Sequence, residues 1–333
     1  MRAKQALLGG ALLLGTLAIA SPAGAVDVST EAELRAAFAD GAETEISLQG
    51  DIQLTDCGEG DLDRNSATPL TILGNGFAIE QTCPGERVME QVGEGAIAIE
   101  DLTVTGGSLA VTSGGGIDTE GALTVTDSVI TDNEALGGGS GGGLDVSDAL
   151  VVTRSTISDN RAGDTGGAIR GSDLITITDS TISGNSTEGD TGGGGGVDAT
   201  QGGPVTVVNS TVTMNSAPGQ FGGGLAADEL VLRYATVVAN SSPIGANVAL
   251  GDPATLESYG SVVAQPVGGG LNCEALTTLT PTSLGGNQSD DTSCGFTGPT
   301  DDEAMGDPLL GALTDNGGPT ATLLPLAGSP LLD

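Results

Sequence analysis

The chain has 333 residues, 57 of them glycine, and carries 44 acidic against 9 basic side chains for a formal net charge of −35. A surface of that sign repels nucleic acid and anionic lipid head groups, whose binding draws on Lys and Arg. No histidine is present, which removes Ser-His and Cys-His catalytic pairs and any Cys/His zinc site.

Arg2 and Lys4 precede an apolar run from Ala6 to Ala20, and Ala23-Gly24-Ala25 is a small-x-small cleavage site. The pattern predicts a secretory signal peptide over 1–25, and hence a secreted or cell-surface protein with no membrane span in the mature chain. The four cysteines are even in number, which in an exported protein favours disulfides. Three connectivities are possible. The local pairs Cys57–Cys83 and Cys273–Cys294 are expected, because they flank opposite ends of a repeat array.

Residues 28–40 read as a short helix. Thr30 and Glu33 form a Thr-x-x-Glu capping box, Leu34, Ala37 and Phe38 share one face, and Gly41 follows. A helix there would cover the open end of the array, so residues 26–95 read as an N-terminal cap with irregular first coils around Ile46-Leu48, Ile52-Leu54 and Leu70-Ile72.

Residues 96–265 carry the repeat. Five times a glycine cluster is followed by an alternating apolar strand and then by Ser-x-apolar-x-x-Asn, with alanine once in place of serine. The closing asparagines are Asn133, Asn160, Asn185, Asn215 and Asn240, spaced 27, 25, 30 and 25 residues apart. A unit this short cannot bury its apolar face alone, and its Thr, Val, Ile and Gly content rules against helix pairs. The expected fold is all-β, a single right-handed parallel β-helix of about 7–9 coils with a short N-terminal capping helix, its handedness following the rule for parallel crossovers. Each Asn falls at the same turn of successive coils, where stacked amides can bond along the axis and the left-handed backbone of a sharp corner is tolerated.

Aligning the coils also aligns charges. Asp145, Arg170 and Asp198 occupy one column, Asp127, Arg154 and Asp179 another, and Glu134 faces Arg161. An Arg between two acids reads as an axial charge ladder that fixes register. Arg233 alone among the repeat arginines has no acidic neighbour in its column, which makes it the place to look for an anionic ligand. Asp164 and Asp190 sit in equivalent Gly-Asp-Thr-Gly-Gly loops one coil apart, a spacing that suits the hard oxygen ligands of Ca²⁺. That is the one metal reading, and no cofactor is otherwise expected.

The motifs Gly166-Gly167-Ala168-Ile169 and Ile182-Ser183-Gly184-Asn185 resemble the repeats of polymorphic outer-membrane-protein adhesins and of the wider right-handed β-helix group. Residues 266–333 resemble the choice-of-anchor Q domain of bacterial surface proteins. Asn272-Cys273, Ser283-Leu284-Gly285-Gly286-Asn287, Ser293-Cys294-Gly295-Phe296, Asp307-Pro308-Leu309-Leu310-Gly311 and Asp315-Asn316-Gly317-Gly318-Pro319-Thr320 carry that likeness. The chain departs from this pattern in having Ala321-Thr322 where a His is common, and it reaches Asp333 without an anchor segment, so release into the medium is an expectation. The resemblance implies display at the cell surface. The expected protein is a non-catalytic, adhesin-like monomer that presents a lateral face to a glycan or protein ligand, with no catalytic residue assigned. A polysaccharide lyase or hydrolase with an acidic groove is the second reading, and a structural envelope protein the third.

Overall fold

A computed structural model describes residues 24–189, 192–200, 202–219, 221–298, 300–303 and 306–332. Almost all of the expected signal peptide, and Asp190, lie outside the described residues. The rest is a parallel β-solenoid of about nine turns with one α-helix.

Alternation sets the coil. In Leu123–Thr126 the residues Leu123 and Val125 point in and are buried, while Thr124 and Thr126 face out. Each stacks in register on the next coil, so Leu123 pairs with Leu150, which pairs with Ile175, and Val125 with Val152 and then Ile177. Ile130, Ile157 and Ile182 close the core from the second sheet. Burying an aliphatic side chain of this size contributes roughly 1.5–3 kcal/mol, and each coil supplies several. Among the described residues two long parallel sheets result, one of 18 strands and one of 11, with a short sheet of 4 beside them. The glycine-cluster strands (Ile117–Thr119, Leu144–Val146, Ile169–Gly171, Val197–Ala199) belong to the larger sheet, and they and the neighbouring strands merge into the long strands Leu225–Arg233 and Val248–Tyr259.

The asparagines line one corner, each almost fully buried. Asn160 Oδ1 accepts from the backbone N–H (3.1 Å) and Nδ2 (3.0 Å) of Asn133, and Asn160 in turn donates to Asn185 Oδ1. The ladder continues where the repeat itself fades. Asn240 donates to Asn247 Oδ1 at 2.9 Å, and Asn247 Nδ2 donates to Asn272 Oδ1 at 2.7 Å. A second ladder runs beside it through the small residues before the corner: Ser128, Ser155 and Ser180 each donate a backbone N–H to the hydroxyl of the next coil's serine at 3.0–3.1 Å.

The helix spans Glu31–Ala39, starts with the full Thr30–Glu33 capping box and buries Leu34, Ala37 and Phe38 against the first coil. Its far end is held by a residue the sequence did not single out. Arg64 is almost fully buried, and its guanidinium donates to the carbonyls of Phe38 (2.9 Å), Asp40 (2.7 Å), Glu43 (3.0 Å) and Thr68 (3.3 Å). The two disulfides are Cys57–Cys83 and Cys273–Cys294.

Residues 306–332 do not simply extend the stack. They form an antiparallel hairpin, with bridges Leu310–Pro325 and Thr314–Thr322, that folds back along the outer face of the second sheet. The Thr181 hydroxyl donates to Ala321 O at 2.6 Å, and the Thr320 hydroxyl to Asp179 O at 3.3 Å. This contact accounts for a change along that sheet. The outward positions Val129 and Thr156 are open on the early coils, whereas Thr181 and Thr211 are buried.

Candidate functional site

The outward residues of the glycine-cluster strands make one unbroken column. Asp63, Glu90, Asp118, Asp145, Arg170 and Asp198 pair in succession from coil to coil. Beside them the glycine clusters bend with positive φ at Gly114 (69°) and Gly194 (65°), a conformation open to glycine at no steric cost. A Cβ at Gly194 would come within 2.7 Å of Asp198 Cβ, so the bend lies directly against the column. Asp145 and Asp198 are buried although they point away from the core.

Next to this wall lies a cleft of about 630 Å³. Its charged residues are Asp164, Arg170 and Asp198, its hydroxyls come from Ser113, Ser140, Thr165, Ser172 and Thr200, and Phe221 stands among them. The hydroxyls are stacked as well. Ser140 donates its N–H to Ser113 Oγ (3.1 Å), and Thr165 donates its hydroxyl to Ser140 Oγ (3.3 Å). Phe221 bridges to Gly193, where a Cβ would meet the ring at 3.0 Å, so the absence of a side chain seats the aromatic there.

Arg170 Nη1 donates to Asp145 Oδ1 at 2.8 Å. Among the described residues, Nε and Nη2 of Arg170 have no hydrogen-bond partner and Arg170 lines the cleft. The third member of this expected ladder, Asp198, is not bonded to Arg170; it accepts from the N–H (2.9 Å) and hydroxyl (2.7 Å) of Thr200. Burial raises the Asp198 carboxyl above its usual range, against these bonds. In the other column Arg154 grips Asp127 with Nε at 2.7 Å and Nη2 at 2.5 Å, while Asp179 accepts instead from Asn209 Nδ2 at 2.6 Å. Arg161 joins Glu134 at 3.4 Å and also pairs with Glu188. The expectation for Arg233 is corrected. Its guanidinium pairs with Glu257, which sits diagonally across one coil and so was invisible to a column-by-column reading.

The upper part of the column has its own counter-ion. Carboxylate oxygens of Asp61, Asp63 and Glu90 lie within 4.8 Å of one another, the one group among the described residues with metal-ligand spacing. Arg87 reaches into that group, with Nε 3.3 Å from Asp61 and Nη1 2.6 Å from Glu90, and it also pairs with Asp118. Burial pushes the Asp118 carboxyl up to about 6; Arg87 opposes the shift, while the neighbouring Asp145 and Glu90 add to it. Burial and Asp63 raise Asp61 in the same way. Arg87 is separated in sequence from every acid it holds except Glu90, so alignment of the repeats gave no sign of it.

Residues 91–280, more than half of the chain, match the family described as right handed beta helix region. The chain belongs to that family. Residues 25–136 are also similar to a pectate lyase-like adhesive domain. No curated protein and no solved structure matches the chain. Among the described residues no helix is long and apolar enough to cross a membrane.

Proposed function

We propose that the protein is an adhesive surface β-helix whose lateral cleft binds a glycan without cleaving it. The observation that carries this reading is the pairing of a hydroxyl ladder, Ser113–Ser140–Thr165, with Arg170 and Asp198 along one polar cleft. Sugars offer hydroxyls as both donors and acceptors, and a wall of fixed Ser and Thr hydroxyls, a carboxylate and the Arg170 guanidinium lining the cleft answers them. The rigid coil spacing of about 4.8 Å holds these groups in place before the ligand arrives. Similarity to an adhesive domain supports the same class, and an exported location agrees with the leader-like N-terminus and the disulfides.

Screening the purified protein on a glycan array, with reducing-sugar release measured on every hit, tests the proposal. Binding without release, weakened at least severalfold by Asp198→Asn or Phe221→Ala, is the expected result. Release of reducing ends would overturn it. A glycoside hydrolase is the second reading, favoured by Asp118: a carboxyl held protonated to about 6 next to the Arg170-paired Asp145 has the makings of an acid beside a carboxylate. Calorimetric titration with Ca²⁺ tests the remaining expectation of a site at Asp164 and Asp190.

A further inference from the structure

The chain contains two tyrosines and no tryptophan, and both tyrosines are exposed on adjacent coils. Tyr234 and Tyr259 meet edge to face with ring centroids 5.2 Å apart, at 57% and 38% exposure. Aromatic side chains are among the most valuable groups for a packed core. In a chain that is 2% aromatic, two of six standing together in solvent need a reason. The Tyr234 backbone occupies the left-handed region at φ 53°, and Gly260 beneath it has no side chain to lift the ring, since a Cβ there would lie 2.9 Å from it.

The surroundings say what would sit there. Strand register places three outward columns side by side next to the pair. Glu229 stacks on Thr255 and Thr280, Val231 on Glu257 and Thr282, and Arg233 on Tyr259. Glu229, Glu257 and the three threonines line a shallow depression of about 250 Å³. Arg233, paired with Glu257, holds that carboxylate at the rim. The surface therefore offers a ring face, hydroxyls and carboxylate acceptors within one small area. Its net negative charge disfavours an anionic ligand.

We infer that the Tyr234–Tyr259 pair offers one ring face, braced edge-on by the other ring, on which one pyranose of a neutral oligosaccharide stacks, with Glu257 and the flanking threonines binding its hydroxyls. The site shares no residue with the cleft described above. It rests on the glycan-binding reading for its ligand class alone. The axial C–H face of a pyranose matches the electron-rich face of a tyrosine ring, while its equatorial hydroxyls reach the polar neighbours.

Because no tryptophan is present, tyrosine emission reports on this pair and on nothing else. Titrating the whole protein with cellopentaose, chitopentaose or mannopentaose should change that emission saturably for at least one of them. Tyr234→Ala should weaken the binding roughly two- to tenfold, Tyr234→Phe should retain most of it, and circular dichroism should confirm that both variants fold. Asp198→Asn in the cleft should leave the emission titration unchanged. Emission that none of the three sugars alters, or an affinity that Tyr234→Ala does not change, overturns the platform. Calorimetric binding that Asp198→Asn weakens would in that case leave the cleft reading standing. Emission that changes with protein concentration instead of sugar would assign the pair to self-association and also overturn the proposal.

Discussion

Replacing Asn160 with alanine tests the corner ladder at its centre. The side chain is 1% exposed. Its Oδ1 accepts from Asn133 N–H and Nδ2, and its Nδ2 faces the carbonyls of Ile130 and Ser158 at 2.9 Å each and Asn185 Oδ1 at 3.0 Å. Asn133 Nδ2 keeps other partners, Val104 O at 3.1 Å and Thr131 O at 2.9 Å, so the backbone N–H of Asn133 is the group left stranded. A net loss of about 1 kcal/mol for each of the two hydrogens that Nδ2 donates, with about 1–3 kcal/mol for the orphaned Asn133 N–H, gives roughly 3–5 kcal/mol. With a urea dependence near 3 kcal/mol/M, the unfolding midpoint should fall by about 1–2 M. Hydrogen exchange should show the Asn133 amide losing protection first. Asn209→Gly is the matched control: Asn209 lies in an exposed column at φ 47°, a backbone that glycine adopts at no steric cost, and its side chain donates to Asp179 alone, so its removal should change stability by less than about 0.5 kcal/mol. If Asn160→Ala costs under about 1 kcal/mol, or no more than Asn209→Gly, the ladder does not hold the coils in register.

Asp118 and Glu31 should produce opposite pH dependences. The Asp118 carboxyl is raised from 3.8 to about 6, so the folded state holds its proton more tightly, and its contribution to stability declines as pH rises through that window. The melting temperature of Asp118→Asn relative to the parent should therefore climb between pH 4 and 6; a constant difference would contradict the assignment. Glu31 is lowered from 4.5 to about 2: burial works against the shift, and the backbone N–H groups of Asp56 and Thr55 together with the Thr55 hydroxyl and Arg35 outweigh it. Its contribution is present above 4.5 and lost as pH falls through about 2, so Glu31→Gln should be less stable than the parent at neutral pH and converge with it near pH 2 in acid-unfolding curves. Arg64→Leu strands the carbonyls of Phe38, Asp40 and Glu43 under the capping helix and should cost about 3 kcal/mol in chemical denaturation. A loss below 1 kcal/mol would mean that water replaces the guanidinium.

The coil and its direction of stacking were legible in the sequence because they are local and periodic. Leu123/Val125 against Leu150/Val152 needs only alternation along a strand and a fixed period between strands. The asparagine corner and the Thr30–Glu33 capping box are likewise short-range patterns. Diagonal and distant contacts were not legible. Arg233 reaches Glu257 two positions out of column, Asn247 enters the asparagine ladder only seven residues after Asn240, and Arg87 draws together acids from three separate coils. The cleft, the tyrosine platform and the return of the hairpin to Thr181 depend on which outward side chains meet once the coils are stacked. By itself the sequence determined a repeating unit that must bury its apolar face on copies of itself. In-column pairs such as Arg154–Asp127 and Arg170–Asp145 follow the period, but only the tertiary structure decided the diagonal partners, the cleft and the returning hairpin, because those contacts are set by geometry across coils and not by spacing along the chain.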